Sequence, residues 1–421
     1  MKKILPDNFR YLEYKSDIKI KNEIPKKHST CILVLCFNEI ENVKKIALYL
    51  SKKINLLDVC FIDNDSSDGT FDFLKNNYGN IFNIIQTKEN LGGAGGFCIG
   101  QEWIIERDYE YCILTEADAY PLDDDLIEFL LKYKNEKCII KANYFEQKLP
   151  AFTFHFTLYP VEIFKKSGVV NKNLFFRAED WEYGQRMEKI LKREYKIKIV
   201  KKFYSHPIIK KGFKITANYF HFRNGLLVVA KYPQKNAILD VTKNFLLYSL
   251  YSFFSFFNDG NKIILKQFYF AFLDFFKTDL SKNKEMLEKF KNEELKPKEK
   301  IDFLEDDLQS FFNKYKNFKI ISPLIKKTLR FHWRFNDPIF SFNCMASKFS
   351  SSNRSFVFLF KKIIFVEEID FLNKKIYYFE YKNKKLLKSW LSFLFSLFLS
   401  ILLYLVFFPL ILWTIFKIKK E

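Results

Sequence analysis

The chain has 421 residues, 48% of them hydrophobic, and a formal net charge of +20. A chain of this length and apolar content can bury a sizeable core, which excludes intrinsic disorder, and its basic balance calls for anionic company: nucleic acid, a phosphorylated substrate or an acidic membrane face. Seven cysteines, odd in number and without a CxxC pair, argue against a zinc ribbon and a disulfide framework, so reduced thiols in a cytoplasmic compartment are expected.

The opening MKKILPDNFRYLEYK has no apolar stretch behind its lysines, so no secretory signal peptide is expected. Cys31 to Phe37 (CILVLCF) is a continuous apolar run of buried-strand type, Glu39 to Lys53 has helical spacing, and Asp58 to Ile62 is a second buried strand. Asp63 to Gly69 (DNDSSDG) supplies turn and cap residues before a helix opening at Thr70. Ile81 to Gln86 reads as a third strand, Gly95 to Arg107 as a helix, Tyr111 to Thr115 as a fourth strand and Asp123 to Tyr133 as another helix. The alternation predicts an α/β fold, a doubly wound and mostly parallel sheet with ligands at the carboxyl ends of its strands.

The chemistry-bearing residues fall at those ends. Asp63 directly follows the second strand, where a carboxylate can accept from a nucleobase or ribose, or cap a turn; the cap role fits Asp65 and Asp68 better. Asn90 to Gly100 (NLGGAGGFCIG) can bring backbone N–H groups to a phosphate or form a mobile loop. It matches neither the P-loop, since Gln101 follows Gly100, nor the dinucleotide glycine order. Glu116 and Asp118 flank Ala117 after a strand, a spacing that lets both carboxylates face one hard cation, Mg²⁺ or Mn²⁺. Asp123 to Asp125 suit the first turn of a helix. FFRAEDWEYGQR then brings Glu179, Asp180 and Glu182, followed by His206 in SHP and by His221 and Arg223 in NYFHFRN. Carboxylates for proton abstraction beside imidazoles and a guanidinium point to group transfer from a diphosphate.

The order CFNE, FIDNDSSDGT, NLGGAGGF, EADAYP, AEDWEYGQR, SHP, YFHFRN, over roughly Thr30 to Val229, resembles the GT-A, family 2 inverting glycosyltransferases, and within them bacterial galactofuranosyltransferases and rhamnosyltransferases. The resemblance implies a Rossmann-like GT-A fold, with Asp63 contacting the nucleobase, and with Asn38, Asn90, Gly92, Gly93, Gly95, Gly96, His221 and Arg223 on the nucleotide-sugar donor. It implies Mn or Mg on Glu116, Asp118 and His206, Asp180 as the base, and Glu179 and Glu182 positioning acceptor hydroxyls. UDP-galactofuranose or dTDP-rhamnose is the expected donor and a lipid-linked or cell-surface glycan the acceptor. Three departures stand out: Glu116 replaces the first metal Asp, Ala117 a third acid, and Ala178 the tryptophan of galactofuranosyl enzymes. The segment 1–29 is also too short for the amino-terminal β-domain of the larger members. The altered metal motif keeps a catalytically silent membrane-bound scaffold as the alternative, whereas no recognition motif supports nucleic-acid binding.

The expected organisation is an N-terminal extension at 1–29, the catalytic domain at 30–235, a helical, membrane-proximal region at 236–300, an accessory region at 301–388 and a membrane anchor at 389–416. Ala237 to Phe257 and Lys266 to Phe276 read as amphipathic helices, 282–305 as an exposed helix or linker, and the aromatic stretches of 318–388 as a few strands. Trp390 to Phe416 carries no charge and is flanked by Lys384, Lys385, Lys388, Lys417, Lys419 and Lys420. It is long enough to cross a bilayer, and the two-sided lysines leave one crossing or a hairpin open. Attachment to the cytoplasmic face of the inner membrane through the carboxyl-terminal segment is the expected location.

Overall fold

The computed structural model describes residues 5, 8–134, 138–144, 154–191, 194–205, 217–233, 236–259, 262–291, 303–307, 355–359, 362–370, 375–381 and 386–420. The chain divides into two units, Met1–Phe145 with Leu149–His206, and Glu146–Lys148 with Pro207–Glu421. The boundary at 206–207 falls inside the segment 30–235 expected to be one domain.

The first unit is built on β1 (Ile18–Asn22), β2 (Thr30–Cys36), β3 (Asp58–Asp63), β4 (Asn83–Thr87), β5 (Tyr111–Glu116), β6 (Tyr120–Pro121), β7 (Cys138–Tyr144), β8 (Thr157–Pro160) and β9 (Lys196–Ser205). They form one sheet in the order β1-β4-β3-β2-β5-β8-β7-β9-β6. The centre, β4-β3-β2-β5, is parallel. Every residue of β2 and β3 is buried, which is why these strands read as unbroken apolar runs rather than alternations. Antiparallel pairings flank the centre, β1 on β4 and β8 on β5. The segment before Thr30 thus contributes an edge strand.

The helices of this unit are α1 (Ile40–Ser51), α2 (Thr70–Tyr78), α3 (Gly92–Glu106), α4 (Leu126–Leu131), α5 (Val161–Ser167) and α6 (Glu179–Leu191). α1 buries Val43, Ile46, Ala47 and Leu50, the three-four spacing of one helix face. α3 starts three residues before the expected Gly95, so the glycine cluster lies within the helix. A Cβ at Gly96 would stand 2.3 Å from Leu35 Cδ1 and one at Gly100 2.4 Å from Leu33 Cδ1, so these glycines let α3 lie directly on β2. Chain order reverses between β2 and β5, and the crevice beyond their carboxyl ends is where open α/β sheets bind ligands.

The second unit contains α7 (Ala217–Lys231), α8 (Ala237–Asp259), α9 (Lys262–Lys277), α10 (Asn283–Lys291) and the long α11 (Leu386–Lys420). It also contains β10 (Phe303–Asp307), β11 (Ser355–Leu359), β12 (Lys362–Asp370) and β13 (Lys375–Tyr381), an antiparallel sheet in the order β10-β13-β12-β11. These are the strands expected from the aromatic stretches, with β10 added by the segment expected to be helix or linker.

Candidate functional site

The carboxyl end of β3 is fastened by a turn. Asp63 is fully buried; its Oδ1 accepts from the Ser66 N–H at 3.3 Å and its Oδ2 from Gln86 Nε2 at 3.0 Å. Burial pushes its carboxyl above the ordinary range against the pull of those hydrogen bonds. The Asp63 carboxyl thus serves the 63–66 turn at the carboxyl end of β3. Asp68 is a cap, accepting from the backbone N–H groups of Ile40 (2.9 Å) and Thr70 (3.1 Å). Asn38, at φ 51, accepts from the Ser67 N–H at 2.7 Å and donates its own N–H to Ser66 Oγ at 2.9 Å, so it binds the end of β2 to the same turn.

Asn64, which was not singled out in the sequence, links the turn to the glycine segment. Its Nδ2 donates to Asn90 Oδ1 (3.1 Å) and to the Gly92 carbonyl (3.0 Å), while its Oδ1 accepts from the Leu91 N–H (3.0 Å). Asn90 Oδ1 also takes the Gly92 N–H at 2.8 Å, and the Phe175 carbonyl takes that of Ala94 at 3.0 Å. In this cluster the N–H groups of Leu91, Gly92 and Ala94 are engaged within the protein, and Gly95 and Gly96 are buried within α3. Gly92 is a glycine because its φ is +70 and a Cβ would meet the Phe175 carbonyl oxygen at 2.0 Å. Gly93 differs, since a Cβ there would stand 3.0 Å from Glu179 Oε1.

The loop that delivers Glu179 is strained. Phe175, Arg177 and Ala178 all have positive φ (64, 67 and 64), and the Phe176 N–H bonds back to the Leu174 carbonyl at 2.7 Å, a tight turn of the rare left-handed kind. α6 begins immediately afterwards. Glu179 is 8% exposed and, among the described residues, its Oε2 has no hydrogen-bond partner. Burial, then the negative charges of Asp180 and Glu116, push its carboxyl up to about 8. Asp180 is half-buried and accepts from the Trp181 N–H at 2.7 Å. Glu116 ends β5, where Leu35 is its register partner, and the Ala117 N–H bonds to the Leu35 carbonyl at 2.8 Å. Gly93, Glu116, Glu179 and Asp180 thus share one electrostatic neighbourhood.

Glu182 does not share it. It is fully buried and paired with Arg186, also fully buried, at 2.8 Å (Nε–Oε1) and 3.1 Å (Nη2–Oε2). Arg186 donates further to the carbonyls of Ser167 and Val169. The pair is structural: inside the core a carboxylate needs such a partner.

His221 and Arg223 lie on α7, in the second unit. The His221 ring stands edge-on to Tyr248 at 5.2 Å. Arg223 is fully buried and donates to Asn224 Oδ1 (3.0 Å), the Tyr219 hydroxyl (3.2 Å) and Asn283 Oδ1 (2.9 Å); Tyr219 in turn donates to Asp274 at 2.7 Å. Burial lowers its guanidinium below the ordinary value. Arg223 thus ties α7 to α10, and through Tyr219 and Asp274 to α9. His206 lies outside the described residues.

Among the described residues no group of three or more His, Cys, Asp or Glu is arranged to hold a metal ion. Glu116 and Asp118 offer two hard oxygen donors, a number that suits Mg²⁺ or Mn²⁺ when substrate phosphates complete the shell. The mutual repulsion of Glu116, Asp180 and Glu179 is also of the kind a divalent cation relieves.

Residues 31–187 match the model of the family described as glycosyl transferase family 2. Solved structures similar to the chain include TarS residues 1–349 from S. aureus, at 13% identity and a TM-score of 0.42, covering 59% of this chain and 80% of that one. Another is the mannosyltransferase PcManGT from Pyrobaculum calidifontis, at 14% and 0.37, covering 64% and 76%. A third is the glucosyl-3-phosphoglycerate synthase from Mycobacterium tuberculosis, at 10% and 0.34, covering 43% and 72%. No curated protein sequence matches. The matched segment begins at β2 and runs into α6, taking in the parallel centre, Glu116 and the acids before Trp181; this part of the chain is a glycosyltransferase family 2 domain of GT-A fold, and the chain is a glycosyl-transferring enzyme.

Proposed function

We propose that the protein is an inverting glycosyltransferase that moves a sugar from a nucleoside-diphosphate donor to a hydroxyl of a lipid-linked or cell-surface glycan. The observation that carries this reading is the meeting of Glu179, Asp180 and Glu116 at the carboxyl end of the sheet, where the charges of the latter two help to raise the Glu179 carboxyl. Asp180, half-buried at the start of α6, takes the proton from the acceptor hydroxyl as that oxygen attacks the anomeric carbon, and one displacement inverts the configuration. Glu179, buried and raised, orients a sugar hydroxyl as a neutral acid. Glu116 and Asp118 would hold the divalent cation, whose chemistry is to offset charge developing on the departing diphosphate.

The order of the acid motif and of YFHFRN supports galactofuranose or rhamnose as the sugar, hence UDP-galactofuranose or dTDP-rhamnose as donor. α11 is the one helix among the described residues long and apolar enough to cross a membrane, which supports membrane anchoring; the cytoplasmic face of the inner membrane is the side we propose. The test is a thermal-shift series on detergent-solubilised protein with UDP-galactofuranose, UDP-galactose, UDP-glucose, dTDP-rhamnose and free nucleotides, each with and without Mn²⁺. Stabilisation by one nucleotide sugar only when metal is present supports the reading and names the donor. Stabilisation by none, in a protein that still unfolds cooperatively, removes it.

A further inference from the structure

The outward side of α11 is apolar from Leu391 to Phe416. Leu394, Phe398, Leu402, Leu405, Trp413 and Phe416 lie on it, and the large apolar residues of this side are between 38% and 67% exposed. They recur at spacings of three, four and eight, all of which return to one face of a helix, so they form one stripe along it. The opposite side is buried within the second unit through Ser392, Ser396, Ser400, Ile411, Ile415 and Ile418. The serine hydroxyls return to the carbonyl one turn back, Ser396 to Ser392 at 2.5 Å and Ser400 to Ser396 at 2.7 Å. Their polar atoms are thereby satisfied while the small side chains let α8 approach closely.

What packs against that inner side decides the helix's attitude. α8 runs antiparallel to α11, with Phe257 against Phe395 (ring centroids 4.9 Å) and Thr242 Oγ1 2.8 Å from the Tyr404 hydroxyl. Tyr404 lies close to the middle of the uncharged run, and at its level α8 carries Asp240, Lys243 and Asn244. α9 meets the middle as well: Phe272 and Phe276 contact Phe407 at 5.3 and 5.9 Å. Between them in sequence, Asp274 is bonded to Tyr219 and lies 3.8 Å from Lys282 Nζ. Were α11 a span with these partners kept, the Asp274–Tyr219–Arg223 network and the charged turn of α8 would stand at mid-bilayer, where ionised groups are expelled unless they face water. A helix in the membrane plane meets no such conflict, because its inner side faces protein and only its outer side meets hydrocarbon.

Resting on the membrane-anchored reading above, we propose that α11 lies in the plane of an anionic membrane surface, outward stripe down, while its inner side stays seated on α8 and α9. The carboxyl-terminal end supplies the matching charge. Lys419 and Lys420 are exposed, and Lys417 is fixed by the Thr278 hydroxyl (2.8 Å) and the Lys277 carbonyl (3.4 Å), with its ammonium 5.6 Å from the Trp413 ring. Lysine and tryptophan at one level is the arrangement favoured at headgroup depth.

The experiment uses the full chain in cells, with single cysteines placed at Lys388 and Lys419 and labelled by a membrane-impermeant maleimide, against protein lacking the added cysteine. In-plane seating labels both positions in sealed inverted vesicles and neither in spheroplasts. Labelling of the two ends from opposite sides overturns the proposal and makes α11 a span. Recovery of the wild type in the soluble fraction, with no flotation on vesicles containing phosphatidylglycerol, overturns the membrane reading itself. A second measurement tests the seating: Thr242→Cys with Tyr404→Cys should be joined by a short bifunctional maleimide in the membrane-bound protein, since the native contact runs through the tip of the tyrosine, and failure to cross-link there overturns it. Phe398→Glu with Leu405→Glu should cut vesicle flotation at least tenfold while leaving the melt of the detergent-free protein cooperative. Unchanged flotation, with conversion of a dimer to a monomer instead, would assign the stripe to a second copy of the chain and overturn the lipid assignment.

Discussion

Glu182 and Arg186, one helical turn apart on α6, form a two-pronged ion pair from which water is fully excluded, and Arg186 extends it to the carbonyls of Ser167 and Val169. The same segment is held from the other side, since the Val169 N–H bonds to the Phe9 carbonyl at 2.6 Å and Lys172 pairs with Asp17 at 3.0 Å. The pair therefore fixes how α6, and the acids at its start, sit on the sheet. Glu182→Gln leaves a buried guanidinium without its countercharge and turns one of its acceptors into a donor, and we expect a loss of about 3–5 kcal/mol in urea unfolding. Glu182→Met with Arg186→Leu should recover most of that loss, because burying no charge costs less than burying one unpaired.

Glu179 gives a pH dependence of defined sign. Its folded value of about 8 lies above the ~4.3 of an unfolded glutamate. The stability contributed by its neutral form is fully present below the unfolded value and is lost as pH rises through 8. Glu179→Gln, which keeps the neutral shape, should melt close to the wild type at pH 5 and a few degrees above it at pH 9. Parallel melting curves at both pH values would mean that the carboxyl is ionised throughout.

The parallel centre was legible because β2 and β3 are buried throughout and β5 through its middle, and short apolar runs bounded by turn residues are what such strands leave in a sequence. Glu116 and Asp180 were legible because each sits where an element begins or ends, which sequence marks well. Asn64, Gln86 and Arg186 were not. Each matters through a partner brought close by the fold, Asn64 to Asn90 and Arg186 to the carbonyls of Ser167 and Val169, and a polar residue's use inside a core leaves no periodic trace. Gly96 and Gly100, four apart, let a helix lie on a strand, a packing role that glycines in a row do not reveal. Arg223 bonds to Asn283, a partner that its own motif does not contain.

Gly92 and Gly93 should respond differently to alanine. At Gly92 the new Cβ would collide with the Phe175 backbone and the left-handed φ adds strain, so Gly92→Ala should lose about 2 kcal/mol or more in denaturant unfolding. At Gly93 the nearest atom is a carboxylate oxygen that can give way. Gly93→Ala should unfold within about 1 kcal/mol of the wild type yet lower transfer by displacing Glu179, a separation visible by running melts and turnover on one preparation.

Asp180, Asp118 and Arg223 can be told apart by measuring donor binding, transfer and stability on the same variants. Asp180→Asn keeps the size of the side chain and removes its basicity, so donor-induced stabilisation should persist while transfer falls by about 10²–10⁴-fold; equal transfer would remove Asp180 as the base. Asp118→Ala should instead weaken the Mn²⁺-dependent part of donor binding and leave the metal-free melt nearly unchanged. Arg223→Gln should differ from both. Its guanidinium bonds to Tyr219, Asn224 and Asn283 inside the helical unit, so the melt should fall by several degrees while donor affinity, measured below that melt, holds. A selective loss of donor affinity with an unchanged melt would return Arg223 to the diphosphate and show that α7 adopts another arrangement when substrate is bound.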